Sequence, residues 1–147
     1  MNESYVVDAS VVAKWFNRGE DFERESDLLR GAWVRDDVKL SAPAHLPFEV
    51  ANSIWKNPNV GTQKARGMAK VLVELSPKLH DLTESLAESA MSIARRKRLT
   101  FYDASYIALA RALSLPLITA DNEQLRAASR YARVLHLSSF ETSGIQV

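Results

Sequence analysis

Two short apolar segments that lead into an acidic residue are the feature of this sequence that most restricts its fold. The valine-rich segment 4–8 ends in Asp8, and the apolar segment 116–119 is followed closely by Asp121. Short runs rich in Val, Ile and Leu predict buried strands. Because a charge is costly to bury without a partner, we expect both acids to lie in a polar crevice at the strand ends.

Predicted strands alternate with predicted helices along the whole chain. We predict strands at residues 4–8, 39–42, 116–119 and 134–137, and a weaker one at 78–82. Apolar residues at helical spacing predict helices at 10–16, 21–34, 43–56, 62–76, 83–98, 100–113 and 122–130. Ser10, Thr83 and Thr100 are predicted caps, and Pro43 suits a first helical turn. This alternation favours a parallel sheet with helices on both faces.

Composition limits the classes of function. A chain of 147 residues without repeats or linkers predicts one domain over residues 1–147. The absence of cysteine excludes disulfides, thiolate zinc sites and thiol nucleophiles. A net charge of +1 requires nucleic-acid binding to depend on local patches. The first residues lack a basic segment followed by an apolar one, and no apolar run reaches about 20 residues, so we expect no signal peptide, no membrane contact and a cytoplasmic protein.

Two further acids complete a candidate site. Glu49 lies in a helix that follows a strand, and Asp103 lies in the first turn of another helix. Ligands of open α/β sheets bind outside the carboxyl ends of the strands, so Asp8, Glu49, Asp103 and Asp121 are predicted to face one crevice. Four adjacent carboxylates repel each other, and Mg²⁺ or Mn²⁺ is the usual remedy. The set therefore indicates a metal-dependent phosphodiester hydrolase.

Each acid also has a structural interpretation. Asp8 suits a turn after a strand, and Glu49 suits a solvated helix face. Asp103 forms an approximate capping box with Thr100, and Asp121 suits the cap of the last helix. No single acid decides between the two interpretations, and the hypothesis depends on the four together.

Cations and aromatic residues near the acids in sequence would suit a phosphodiester substrate. The candidate cations are Lys14, Arg95, Arg96, Lys97 and Arg98, with a second stripe at Lys64, Arg66 and Lys70. The run 95–98 equally suits the negative end of a helix. Phe101 and Tyr102 can stack on bases, although such aromatics more often belong to a core. The three histidines are scattered, and only His45, one turn before Glu49, lies near the site.

Four motifs of the chain, taken in order, resemble those of the PIN-domain ribonucleases. The first runs from Val6 to Ser10, and the second combines Ala42, Pro43, Leu46, Glu49 and Asn52. The third runs from Tyr102 to Ala104, and the fourth from Thr119 to Asp121. The order and spacing cover nearly the whole chain, and the resemblance is greatest to the VapC toxins of VapBC toxin–antitoxin pairs.

The resemblance implies a three-layer α/β/α sandwich and an endoribonuclease that leaves a 5′-phosphate and a 3′-hydroxyl. It also implies Mg²⁺ or Mn²⁺ held by the four acids, with Ser10 and Thr119 orienting carboxylates or waters and Asn52 acting as a partner of Glu49. It favours an antitoxin partner and a homodimer, for which an exposed tryptophan would provide a surface. The chain departs from some relatives after the fourth motif, where Asn122 and Glu123 leave the number of metals open.

Other readings remain open. A dehalogenase-type phosphatase needs a second aspartate two residues after the first, where this chain has Ser10. A receiver-type domain needs paired acids near its start and a lysine after a late strand, and the sequence has neither arrangement. A PIN-like module that binds RNA or protein without cutting, and an RNA-processing nuclease outside a toxin–antitoxin pair, are the alternatives to a toxin.

Overall fold

The computed structural model describes residues 3–141. Its strands are β1 (Glu3–Val7), β2 (Val38–Pro43), β3 (Lys78–His80), β4 (Leu117–Thr119) and β5 (Val134–His136). Its helices are α1 (Ala9–Phe16), α2 (Glu23–Val34), α3 (Leu46–Lys56), α4 (Thr62–Glu74), α5 (Glu84–Lys97), α6 (Phe101–Leu113) and α7 (Asn122–Ala128). Within residues 3–141, no helix is both long enough and apolar enough to cross a membrane.

The five strands form one parallel sheet in the order β3-β2-β1-β4-β5. From the central β1, the chain builds β2 and β3 on one side and then crosses to β4 and β5 on the other. The strand order therefore reverses between β1 and β4, and open sheets of this kind bind ligands at such a switch point. The weak strand candidate at 78–82 is confirmed as the short edge strand β3.

Helices cover the sheet, and α6 is the most deeply buried of them. It packs across β1, β2 and β4, and α5 packs against it. Every residue from Ala104 to Ala110 is buried, because the helix is enclosed on several sides rather than on one stripe. Helices α1, α2 and α3 form another group, in which α1 contacts β4 and α2 contacts β2. The predicted helix-covered parallel sheet is confirmed.

Two predicted helix starts are wrong. Ser10 lies inside the first turn of α1, and Asp8 occupies the position before that helix. Pro43 ends β2 and does not open α3, whose first turn contains Pro47 instead. Pro43 lies beside His80 at the end of the β2–β3 ladder, and the next residue, Ala44, donates its backbone N–H to the His80 carbonyl at 2.9 Å. A strand end is a position that tolerates the missing N–H of proline.

The large aromatics of the first half divide into buried and exposed members. Trp15 is buried, stacks on Trp33 with ring centroids 5.5 Å apart, and donates its indole N–H to the Ser26 carbonyl at 3.1 Å. Trp55, on α3, is 76% exposed and therefore contributes little to the core. An exposed aromatic of this kind would suit a homodimer or antitoxin surface.

Candidate active site

The crevice at the switch point between β1 and β4 contains two of the predicted acids. Asp8 follows the last residue of β1, and its backbone N–H donates to the Ile118 carbonyl of β4 at 2.9 Å. Asp121 comes two residues after the end of β4. Because β1 and β4 are adjacent and parallel, both acids lie at the same edge of the sheet.

Two hydroxyl groups fix the Asp8 carboxylate. Ser10 Oγ and Thr119 Oγ1 donate to Asp8 Oδ2 at 2.7 and 2.8 Å. The same hydroxyl oxygens accept backbone N–H groups from the loop after β4, Ser10 Oγ from Ala120 and Thr119 Oγ1 from Asp121, both at 3.0 Å. This network ties the end of β1 to the loop that carries Asp121, and it explains why Ser10 and Thr119 accompany these acids in the sequence.

Glu49 reaches the site from α3 and is held by two aromatic side chains. Tyr106 of α6 donates its hydroxyl to Glu49 Oε1 at 2.8 Å. His45 Nε2 lies 3.0 Å from the same oxygen, although the two atoms do not form a hydrogen bond. His45 also meets the Tyr106 ring edge-on at 5.3 Å between centroids. Glu49 is therefore more than a residue of a solvated helix face.

Asp103 and Asp121 each combine a position near the site with a role at a helix start. Thr100 caps α6 by accepting the Asp103 backbone N–H at 3.1 Å, as predicted. Asp121 caps α7, since its Oδ1 accepts the backbone N–H groups of Glu123 at 2.8 Å and Gln124 at 3.3 Å. The structural interpretation of Asp121 is correct, and it is compatible with a place in the acid cluster.

Electrostatic interactions connect the four acids, with Asp103 linking Asp121 to the other two. Burial raises the pKa of Asp8 to about 7, the negative charges of Asp103 and Glu49 add to the rise, and the hydrogen bonds from Ser10 and Thr119 oppose it. Burial also raises the pKa of Asp103, with further contributions from Glu49 and Asp121. These couplings link Asp8, Glu49, Asp103 and Asp121 into one cluster of negative charge.

Tyr106 is a site residue that the sequence analysis missed. Its ring is fully buried in α6, and its pKa is raised first by that burial and then by the charges of Glu49, Asp8 and Asp103. The phenol therefore remains a hydrogen-bond donor at any physiological pH. Its spacing of three residues from Asp103 on a predicted helix placed both on one face, and this was the available signal.

The other predicted site residues have different surroundings. Asn52 is exposed and makes no hydrogen bond to Glu49. The partners of Glu49 are instead Tyr106, which donates a hydrogen bond, and His45, which lies in contact with it. Lys14 is buried, and its Nζ lies 3.4 Å from Glu20 Oε1, which makes it a poor contact for RNA. The run 95–98 closes α5, and its cations form no ion pair with any residue in 3–141.

The donor chemistry of the cluster suits a hard cation, but the cluster is not arranged as a finished site. Carboxylate oxygens are the ligands that Mg²⁺ and Mn²⁺ prefer. In the described part of the chain, no group of three or more His, Asp or Glu side chains is positioned to hold a metal ion. A cation held here would therefore rely on one or two of the carboxylates and on water for its remaining ligands.

Residues 5–130 match the family model of the PIN domain. The Pyrobaculum aerophilum protein named Ribonuclease VapC3 is 31% identical over 123 residues, covering 80% of this chain and 89% of that protein. The chain belongs to the PIN-domain family, among its VapC-type members. A Mycobacterium tuberculosis protein named Ribonuclease VapC1 is 30% identical over 83% of this chain and 88% of its own length. The predicted family is confirmed.

One further relative and two solved structures are also similar to this chain. The Pyrobaculum aerophilum protein named Exonuclease VapC9 is 28% identical, covering 63% of this chain and 70% of that protein. The crystal structure of PAE2754 from the same organism has a TM-score of 0.65 at 24% identity, covering 93% of this PIN-domain chain and 91% of its own. FitAcB from Neisseria gonorrhoeae has a TM-score of 0.67 at 18% identity, covering 92% and 99%. These likenesses confirm the three-layer α/β/α fold.

The raised pKa of Asp8 predicts how stability depends on pH in metal-free protein. The folded state holds the proton up to about pH 7, whereas an unfolded aspartate releases it near its ordinary 3.8. The proton on folded Asp8 therefore stabilises the fold fully below about pH 4. This contribution to the free energy of unfolding falls by about 1.4 kcal/mol per pH unit between pH 4 and 7, and it is gone above pH 7. Asp8→Asn should remove this loss, so the variant should exceed the wild type in stability at pH 8.

Urea unfolding in EDTA at pH 5, 6, 7 and 8 measures this difference. The exposed Asp21→Asn is a matched control and should follow the wild-type pH profile. Parallel profiles for the wild type and Asp8→Asn would show that Asp8 is ionised throughout and would contradict the prediction.

Proposed function

We propose that this chain is an Mg²⁺- or Mn²⁺-dependent endoribonuclease and the toxin of a toxin–antitoxin pair. The observation that carries the proposal is the cluster of four coupled carboxylates at the switch point of the sheet: Asp8, Glu49, Asp103 and Asp121. The names of the VapC relatives support ribonuclease activity. A module that only binds RNA has no need to keep four mutually repelling acids in one crevice.

A divalent metal would be held by oxygens of these acids. When bound, it would neutralise charge on the phosphodiester and lower the pKa of a water molecule that serves as nucleophile. Asp8 is the central candidate ligand because its carboxyl group is buried and lies near the negative charges of Glu49 and Asp103. Both effects raise its pKa when no cation is bound. A cation would compensate for the desolvation and repulsion that the pKa of Asp8 reports.

The surrounding residues of the chain would position the acids and the RNA. Ser10 and Thr119 restrict rotation of the Asp8 carboxylate, and Tyr106 restrains Glu49 by donating its hydroxyl. The cations at 95–98 lie at the C-terminal end of α5, shortly before the start of α6, whose first turn contains Asp103. We expect them to contact the phosphates of a bound RNA, since phosphate contacts position a nucleic acid without reading its sequence.

Cleavage of RNA by purified protein tests the activity. We expect cutting of a labelled RNA pool in Mn²⁺ or Mg²⁺, no cutting in EDTA, and a loss of at least about 100-fold in Asp8→Asn, because loss of a single preorganised charge-stabilising group costs on that order. The exposed Glu88→Gln on α5 is the control and should retain full activity. Since Asp8→Asn is expected to be a stable protein, its inactivity would not reflect unfolding.

A circular RNA distinguishes internal cutting from attack at an end, which matters because one relative is named an exonuclease. An endonuclease linearises the circle, and an exonuclease leaves it intact. Cutting that persists in EDTA, or equal activity of Asp8→Asn and the wild type, would contradict the proposed site.

Metal binding has a readout that does not depend on activity. We expect Mn²⁺ at pH 8 to raise the melting temperature of the wild type, because a ligand that binds only the folded state stabilises it. Asp8→Asn and Glu49→Gln should show a smaller rise, and Glu88→Gln should match the wild type. Equal shifts in all four proteins would place the metal outside the acid cluster and refute this assignment.

An exposed apolar face on α3 supports the proposed protein partners. Phe48 and Trp55 are 79% and 76% exposed and lie two turns apart, so they share one side of the helix. Beside Trp55, a cavity of about 310 Å³ between α3 and α4 is lined by small apolar residues such as Ala51 and Ala65. We propose that an antitoxin segment binds this face, and that the chain forms a homodimer through another surface.

Growth and assembly measurements test the partners. Expression of the wild type should arrest growth, co-expression of an adjacent small gene should restore it, and Trp55→Glu should remain toxic but escape that rescue. Sedimentation of purified toxin should give twice the mass of one chain for both the wild type and Trp55→Glu. Growth that is unaffected by an RNA-cleaving wild type would favour a processing nuclease, and a monomer would disprove the homodimer.

A further inference from the structure

A cavity of about 260 Å³ lies directly beside the acid cluster. It is bounded by the carboxyl ends of β2 and β3, by the first turn of α5 and by one face of α6 that extends to Leu109. Its walls are mainly apolar and aromatic, and its lining includes His45, His80, Asp81, Leu86, Phe101 and Tyr102. Drug-sized ligands occupy pockets of about 300–1,000 Å³, so this cavity suits one flat group the size of a nucleobase.

Two aromatic residues connect the cavity to the proposed active site. His45 lines the cavity while its Nε2 lies 3.0 Å from Glu49 Oε1. Tyr102 directly precedes Asp103, and its ring meets that of His45 edge-on with centroids 5.1 Å apart. Tyr102 is also 58% exposed, so its ring is available to a ligand. A group bound here would contact His45 and Tyr102, which are the direct neighbours of Glu49 and Asp103.

The charge of the lining favours a base over a phosphate. None of the described residues that line the cavity is Lys or Arg, whereas Asp81 contributes a carboxylate. A carboxylate repels phosphate but accepts hydrogen bonds from the amino groups of adenine, cytosine and guanine. His80 adds a ring nitrogen, Nε2, that is buried without a hydrogen-bond partner among residues 3–141. Such a group gains stability when a ligand supplies a partner.

We propose that this cavity binds one unpaired base of the RNA substrate, next to the bond that is cut. The inference rests on the proposed nuclease function and adds the determinant of sequence preference. The base stacks on the Tyr102 ring, as unpaired bases do on aromatic side chains in RNA-binding proteins. Asp81 favours bases that carry an amino group, so uracil is the least preferred base at this position.

Sequencing of the products from a random RNA pool tests the proposal. The wild type should cut with a preference against uracil at one fixed position near the cleavage site. Tyr102→Ala should reduce cleavage of preferred sequences about tenfold, since base stacking contributes on that order. Tyr102→Phe should retain both rate and preference, and Asp81→Asn should lose discrimination against uracil. Met91→Ala, which is 51% exposed on α5 and outside the cavity, is the control and should behave as the wild type.

Binding without cleavage provides the second measurement. In methyl-labelled Asp8→Asn protein, hexamers of adenylate and cytidylate should shift the methyl signals of Leu86 and Leu109, which line the cavity, and hexauridylate should shift them less. Added Tyr102→Ala should abolish these shifts. RNA-induced shifts that avoid the cavity, or cavity signals that change only with protein concentration because a second copy covers it, would overturn the proposal.

The two proposals fail in different ways. A wild type that cuts RNA with the same preference as Tyr102→Ala and Asp81→Asn would leave the nuclease intact and refute the base pocket. Cavity shifts with RNA but no cutting under any metal would support the pocket and refute the nuclease. No binding and no cutting would refute both.

Discussion

Burial of the Asp8 carboxylate at the end of the central strand is the constraint on which the candidate site depends. The side chain is 5% exposed and has negatively charged neighbours, yet its oxygen accepts two hydroxyl hydrogen bonds that favour ionisation. These opposing effects leave its pKa near the middle of the physiological range, at about 7. The fold therefore maintains a buried carboxylate whose charged form is costly and whose rotation is restricted by hydrogen bonds, a combination that is typical of a functional site rather than a structural acid.

The topology of the sheet explains how acids distant in sequence meet. Because β1 is central and pairs with β4, Asp8 and Asp121 lie at the same edge of the sheet although 113 positions separate them in the chain. Helices α3 and α6 then bring Glu49 and Asp103 to the same crevice, and the Tyr106 hydroxyl joins α6 to α3 at Glu49. Each acid is thus carried by a different element, so the cluster depends on the pairing of β1 with β4 and on the packing of α3 and α6.

Much of this arrangement could be predicted from the sequence because strand ends and helix caps are local signals. Asp8 and Asp121 follow apolar runs, and a parallel sheet places the ends of those runs at one edge. Partners across the crevice could not be predicted in the same way. Asn52 lies one turn from Glu49 in sequence, but side-chain direction on α3 exposes it, and Tyr106 reaches Glu49 from another helix. Such contacts depend on packing distances that periodicity does not specify.

The caps show why a structural and a functional interpretation of one residue need not compete. Asp121 uses Oδ1 to cap α7, and the same carboxylate contributes to the raised pKa of Asp103. Capping fixes the side chain by satisfying backbone N–H groups, and a fixed carboxylate loses less entropy when it binds a cation. Thr119 follows the same logic, since its hydroxyl bonds both Asp8 and the Asp121 backbone. Local interactions that stabilise the ends of secondary structure therefore also preorganise the acids for their proposed chemistry.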